Sequence, residues 1–597
     1  MSTSRLEQLP AELLRRICEY IAHSHRPTVL SFALASKRCR SVAKRLLFHT
    51  ISFAVDNPPQ LARDVLDCTA TLQRNLAFAD VYTLVIHDSR EHKAKDEDYD
   101  DTFASRSRFS GLPLSPSKLI YGRLEPRSLL TAELVTRADS TGHMDAAWQS
   151  LAHLVRRLQA LADVLIWMRY EDTDGYDGEG MPSYHADAVD SMVRGLAPNL
   201  KEVHLFYEYG CPEDDNGNPL PPRAPWRGFA VDNQASCTPA RLECLELGMD
   251  FVFRLPDRLI LEEAVVHNWA VNTELSSLRT LMISRTVNYK ALNSLMLVQA
   301  YYDDVKRFLR SLSQLTSLEI IAWDPSISLA AALYPRLLEL WLRTQHVLGQ
   351  GLDEAAVAEL ADRCPAIETL ALEIRRSRGD ATEVALYRAL GRFAHLRRLA
   401  LTLDASPPPW FPAAPPAVEG YDTDVDPSFD EFDRSYLSGT LYPYRHGHIR
   451  DILINTAVDE TLARAIFRTI CAVQTRNYTH GVTTTIAPLE RMKVQVAGGK
   501  SFPHRGTMVP VGNDLSPYLA ALGRQWLLER DVRDDARDVV HAREFNKKSR
   551  LRSMNSGWAQ DTSRYLPIFR RIWPEKPSGL ADWRDDWWSW PLITETT

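Results

Sequence analysis

The sequence predicts a mixed α/β chain. Three short N-terminal helices precede a long, irregular repeat with a parallel sheet on its concave side and helices on its convex side. The first observation behind this is the template L-x-x-L-x-L, with other aliphatics or Met allowed at its fixed positions. It starts at Val81, Leu161, Leu200, Leu242, Leu278, Leu315, Leu337, Ile367, Leu396, Ile449 and Leu489. Amphipathic helical stretches lie between these templates, which is the second observation. The third is length: 597 residues exceed what one core supports, unless each unit packs only on its neighbours.

At the N-terminus, Pro10 suits the first turn of a helix, where its missing N–H would have no partner. Leu13, Leu14, Ile17 and Ile21 share one apolar stripe, with Arg15, Arg16 and Glu19 opposite. Pro27 is expected to close the next loop, and Thr28 to cap a second helix carrying Val29, Leu30, Phe32, Ala33 and Leu34. A third helix is expected over residues 39–47. So short a unit buries only roughly 60% of its unfolded surface at best, so it needs a partner or the rest of the chain.

These residues resemble the F-box family. Its Leu-Pro-x-Glu-Leu-Leu start and following Ile are matched by Leu9, Pro10, Glu12, Leu13, Leu14 and Ile17. Its later apolar helix and basic segment are matched by Leu30, Leu34, Ser36, Lys37 and Arg40. Cys39 stands where the family has an aromatic, Ile21 where it has a leucine, and the loop over 23–27 is long. The resemblance implies that Leu9, Pro10, Leu13, Leu14, Ile17, Leu30 and Leu34 dock the Skp1 adaptor, and through it a cullin-type ubiquitin ligase.

In a strand, positions two apart share a face. The last two template positions therefore face one core, and the first turns inward just ahead of the strand. Helices are expected at 188–196, 291–313, 353–363, 381–394 and 459–473, with Asp353 and Asp380 at N-cap positions. Strand–loop–helix at this pitch resembles a leucine-rich repeat, which implies a curved parallel sheet over residues 80–496. That family continues with Asn or Cys three residues after the template. Here those places hold Glu208, Asp250, Gln345 and Asp404, so the turns must close by other means.

The expected domains are a helical unit at 1–52, the repeat at 53–500 and a C-terminal extension at 501–597. Segments 88–118, 171–187, 208–240 and 404–447, rich in Asp, Glu, Gly, Ser and Pro, read as solvated insertions. A polar helix is expected at about 517–545. Trp573, Trp583, Trp587, Trp588 and Trp590 then form a tail expected to fold back over the last apolar face of the repeat.

Several function classes are disfavoured. With 70 basic against 77 acidic residues and a net charge of -7, no basic surface for nucleic acid is expected. The eight cysteines include no C-x-x-C pair. The polar start is unlike a secretory signal, and no apolar run approaches the roughly 18 residues a membrane helix needs. A cytoplasmic or nuclear chain is expected. Gly499-Lys500-Ser501 matches the end of a phosphate-binding loop, but Val494 occupies the first glycine's place and Pro503 blocks the helix that should follow. His446 and His448 lack a third ligand in the sequence, and the carboxylates are scattered. No catalytic residue, cofactor or metal site is expected.

The expected function is a non-catalytic adaptor that binds Skp1 and presents an unknown protein target for ubiquitination. The alternative is a repeat scaffold unconnected with ubiquitin. Alternation points Trp167, His204, Phe206, Glu246, Met282, Ser284, Glu319, Trp323, Trp341, Arg343 and Glu373 to the open side of the sheet. Trp167, Phe206, Trp323, Trp341, Arg343 and Glu373 are the candidate target contacts among them. A competing expectation is that the insertions fold over the sheet and bury these side chains.

Overall fold

In a computed structural model of the chain, every template but one leads into a strand that starts two residues after the template does. The structure describes residues 9–24, 26–54, 58–87, 149–155, 157–158, 160–170, 199–209, 240–247, 273–284, 306–323, 328, 330–344, 352–406, 428–437, 445–478, 489–499, 501–504, 507–510, 513–531, 539–548, 550–551, 564–576 and 583–593. The chain divides into two units, residues 1–278 and 279–597. Both are mixed α/β.

The first unit opens with the helices Ala11–Ser24, Arg26–Ala35 and Lys37–Phe48. Pro27 lies inside the first turn of the second helix rather than in a loop, and Thr28 is past the cap position. Proline fits there because first-turn N–H groups have no helical acceptor to lose. Ser36 caps the third helix, its hydroxyl accepting from the Cys39 N–H at 3.1 Å. Leu14, Cys18, Val29, Phe32, Ala33, Cys39 and Ala43 form the core of this helical unit.

Beyond it come β1 (Thr50–Ala54), the helix Pro58–Arg74 and β2 (Thr83–His87). Next are β3 (Asp163–Tyr170), β4 (Glu202–Tyr209), β5 (Ala240–Arg241), β6 (Cys244–Leu247) and β7 (Thr273–Glu274). β1, β2, β3, β4 and β6 are neighbours in that order and all parallel, while β5 pairs with β7.

The second unit continues the pattern with β8 (Thr280–Ser284), β9 (Ser317–Trp323), β10 (Glu339–Thr344), β11 (Thr369–Arg375), β12 (Arg398–Asp404) and β13 (Arg491–Ala497), again parallel and in sequence order. The crossovers include the helices Glu354–Arg363 and Ala381–Leu390, capped as expected by Asp353 and Asp380. Parallel strands that follow without reversal place crossovers of the usual right hand on one face. The aliphatic pairs Leu340/Leu342, Leu370/Leu372 and Leu399/Leu401 are buried, as are Val357 and Leu360 of the first crossover helix.

A backbone ladder links successive strands at their starts. The Leu338 carbonyl accepts from the N–H groups of Glu368 and Thr369, at 2.8 and 3.0 Å. The Glu368 carbonyl accepts in the same way from Arg397 and Arg398, and the Arg397 carbonyl from Glu490 and Arg491. The same two-donor contact recurs in the first unit, where Ala162 accepts from Lys201 and Glu202, and Lys201 from Glu243 and Cys244. The turns thus close through main chain at the strand starts, with no need of an Asn ladder after them.

Three expectations fail in the second unit. The template at Ile449 is not a strand: it lies in the helix His446–Thr456, where Ile449, Ile452 and Leu453 are fully buried. Positions three and four apart also share a helix face, so the template alone cannot separate the two states. The polar helix expected at 517–545 is instead a short helix, Ser516–Leu522, followed by β16 (Trp526–Arg530) and β17 (Val540–Glu544); the hairpin of β14 (Ser501–His504) and β15 (Thr507–Pro510) precedes it. β16 pairs antiparallel with β13, so the sheet runs past residue 500. Gly523 ends the helix, and the buried Trp526-Leu527-Leu528 run satisfies the open edge of β13.

The insertion at 404–447 is not wholly solvated either. Within it, the helix Glu431–Arg434 carries a buried Asp433 facing Arg450, and Phe429 and Leu437 are buried. Its Pro-rich part, 407–427, lies outside the described residues, as do 88–118, 171–187, most of 208–240 and the helices expected at 188–196 and 291–305. Trp573, Trp583 and Trp587 are buried against Ile452, Leu453, Tyr518 and Phe569, while Trp588 is exposed. The ring centroids of Tyr518 and Trp583 are 4.3 Å apart.

After β11 the chain turns through a buried charged node. Arg376 and Glu383 are both buried, with Nε and Oε1 3.2 Å apart. The other Glu383 oxygen accepts from the N–H groups of Ser377 and Gly379, each at 2.8 Å, and the Tyr387 hydroxyl donates to Oε1. Gly379 holds φ +76°, and a Cβ there would meet the Pro591 carbonyl at 2.7 Å. Replacing Glu383 with Ala leaves Arg376 without its counter-charge, with an expected loss of about 3–5 kcal/mol in urea denaturation. A loss below about 1 kcal/mol would contradict a structural role for the node.

Candidate functional site

The helical unit buries its core with part of its apolar surface left outside. Of the seven residues that the F-box resemblance marks, Leu13, Leu30 and Leu34 are 45%, 55% and 66% exposed. Pro10 is exposed, and Leu9 and Ile17 are half-buried against the helical core. Leu14 is a correction: it is fully buried with Cys18 and Phe32, so it holds the unit together and offers nothing to a partner. Tyr20, which the sequence reading passed over, is exposed on the first helix. Exposed leucines on short helices are side chains that a protein partner could cover.

On the sheet, burial alternates along β12, whereas β11 is buried on both faces. In the second unit, Leu340 and Leu342 are buried while Trp341 between them is half-buried, opposite Glu319 of β9 and Ala371 of β11. Its indole nitrogen is buried without a hydrogen-bond partner among the described residues. Glu319, Glu373 and Met282 share the alternating phase but are buried, so Glu373 is not a contact that a target could reach. The backbones of Trp167, Phe206, Trp323, Ser284 and Arg343 lie in β3, β4, β9, β8 and β10; their side chains lie outside the described set.

In the first unit the same phase gathers titratable groups. Asp163 pairs in register with Glu202, Glu202 with Cys244, and His204 with Glu246. His204 and Glu246 are buried, and the imidazole Nδ1 lies 2.8 Å from Glu246 Oε2. Its Nε2 lies 3.6 Å from Asp163 Oδ1 and 3.7 Å from Glu202 Oε2. Burial alone pushes the imidazolium down, but hydrogen bonding to Glu202 and Glu246 and the charges of Glu246 and Asp163 reverse this and raise it to about 10. Asp163 is raised instead, chiefly by burial, against the opposing pull of His204.

The sequence reading placed His204 and Glu246 on the open face but did not see them as a pair. The signal was present: each occupies the fifth place of consecutive templates, so equal register sets them side by side. Asp163 and Glu202, two residues earlier on that face, went unremarked. The His446/His448 pair does different work. His446 Nδ1 contacts the Ser435 hydroxyl at 2.9 Å, and both rings pack on phenylalanines, His446 on Phe432 and His448 on Phe429. Gly499 is followed by the β14–β15 hairpin rather than a helix, so no helix N-terminus is placed to hold a phosphate.

The contrast between Leu13 and Leu14 is directly testable. Leu13→Asp should leave the helical unit folded, with melting within about 1–2 °C of the parent, because an exposed charge is solvated. Leu14→Asp buries an unpaired carboxylate and should unfold the N-terminal helices, seen as rapid proteolysis within residues 11–48. Equal behaviour of the two variants would contradict this placement.

Comparison of the chain with models of known protein families and with curated protein sequences finds no match to either.

Proposed function

We propose that this chain is a non-catalytic recognition subunit: its N-terminal helices dock the Skp1 adaptor of a cullin-type ubiquitin ligase, and its repeat presents a protein target for ubiquitination. In finer detail, the reading takes the N-terminal unit as an F-box and the strand–helix array as an irregular leucine-rich-repeat solenoid. One observation carries it. The residues that the F-box resemblance assigns to docking include Leu13, Leu30 and Leu34, which stay exposed although the helices around them already have a closed core.

The physical role needs no chemistry from the chain. Holding a target beside a charged ubiquitin enzyme raises its effective concentration. Trp341, half-buried on the sheet face away from the aliphatic pairs, is the described side chain best suited to touch the target there.

Calorimetric titration of the full chain with purified Skp1 tests the reading. Submicromolar binding is expected, and the combined Leu13→Asp and Leu34→Asp variant should weaken it by at least about 30-fold, since an interface anchor contributes about 2 kcal/mol or more. Unchanged melting of that variant would show that docking, not folding, was lost. Absence of binding by the parent chain at micromolar concentrations would remove the ubiquitin-ligase reading and leave the repeat as a scaffold.

A further inference from the structure

In the second unit, β17 is the last strand of the sheet among the described residues, and it pairs with β16 on one side. That pairing fixes which main-chain groups face outward. The Phe545 N–H donates to the Gln525 carbonyl at 3.1 Å, and the Val539 carbonyl accepts from the Asp531 N–H at 2.9 Å. Residues 539, 541, 543 and 545 therefore direct their main-chain groups at β16, and Val540, Ala542 and Glu544 turn theirs away. The Val540 carbonyl, so directed, accepts from Arg464 Nη1 of the helix Glu460–Tyr478 at 2.8 Å. The N–H and C=O groups of Ala542 and Glu544 meet no partner among the described residues. A strand edge of this kind is a template for one further strand.

The side chains flanking that edge leave one sign of charge unbalanced. His541, Arg543 and Phe545 share a face and are exposed, and the exposed Lys547 and Lys548 follow at once. The Phe545 ring reaches across that face to Lys493 of β13, whose Nζ lies 4.8 Å from the ring centre. The neighbouring carboxylates already have partners. Glu529 Oε1 lies 3.4 Å from Arg491 Nε, Asp531 Oδ2 lies 3.8 Å from His541 Nε2, and Glu544 Oε1 lies 2.8 Å from Arg550 Nε. Arg543, Lys547 and Lys548 have no ion-pair partner among the described residues. Positive charge and an exposed aromatic ring thus stand beside an open strand edge.

We propose that β17 binds an extended segment of a partner protein that carries acidic side chains two residues apart. The segment adds as one more strand, its main chain bonded to Ala542 and Glu544. Alternate side chains of such a strand stand beside Arg543 and Phe545, where opposite charges on neighbouring strands attract. Lys547 and Lys548 receive the acidic groups at the segment's end. The same charges select against other occupants of the edge. A second copy of this chain would bring Arg543, Lys547 and Lys548 against their like. A nucleic acid would answer the charge and stack on Phe545, but would leave the outward main-chain groups unpaired. The site uses none of the N-terminal docking leucines and does not rest on the ligase reading.

The test measures fluorescence anisotropy of a labelled heptapeptide of alternating Thr and Glu, titrated with the full chain. Binding is expected at one peptide per chain, with a dissociation constant below about 100 μM, and it should weaken as salt is raised. The same peptide with Lys for Glu should not bind. Nor should the Thr–Glu peptide N-methylated along its main chain, which keeps its charge but cannot pair with a strand edge. The combined Arg543→Glu and Lys547→Glu variant should weaken binding at least about tenfold with unchanged melting, because both side chains are exposed. Absence of binding by the parent chain, or equal binding by the double variant, would overturn the proposal. Equal binding of the N-methylated peptide would reduce the site to charge alone and overturn it too. So would tighter binding of a single-stranded oligonucleotide of equal length, or parent dimers that the double variant loses.

Discussion

The structure depends on one repeated main-chain contact. The carbonyl just ahead of a strand accepts two successive N–H groups from the start of the next strand, as Tyr82 does from Ala162 and Asp163 and Thr316 does from Leu338 and Glu339. This contact fixes register where each strand begins. Fixed register stacks the aliphatic pairs in rows, because a slip of one residue would turn every Leu pair to the opposite face. The segments between strands are then free to vary in length and composition, since none of them sets the pairing. That freedom accounts for a chain in which template spacing ranges from 22 residues, between Leu315 and Leu337, to the long insertions.

The same constraint explains which parts of the fold could be read from sequence. Where their side chains are described, the templates that became strands carry their first aliphatic at the turn and the next two inside, buried as at Ile367, Leu370 and Leu372. Ile449, Ile452 and Ile454 satisfy the same spelling in a helix, because apolar spacing of three suits both states. The C-terminal strand β16 was hidden for a different reason. Its partner, the edge of β13, is a tertiary feature that no local pattern in residues 517–545 reports. Phe429 and Leu437 were likewise lost among acidic neighbours, although two apolar residues suffice to anchor that segment.

Function-related residues were legible in proportion to how local their signal is. The exposed leucines of the N-terminal helices follow from helical phase, but phase alone put Leu14 on the same stripe as Leu13, whereas the packing of the three helices takes Leu14 inward. The carboxylates about His204 come from three strands spaced by long insertions, and only equal register brings them together. Burial also reshaped the expected target face. Glu373 sits in the phase that alternation assigns it, yet lies buried, and among the described side chains of that phase Trp341 is the partly open one.

On the proposed reading, the N-terminal helices dock the ligase adaptor while the repeat holds a target. Hydrogen exchange of the full chain, followed with and without the Skp1 adaptor, examines both halves together. The account predicts slowed exchange confined to residues 10–48, with the strands β8 to β13 unchanged. Unchanged exchange over 10–48, or protection appearing on the strands instead, would contradict it.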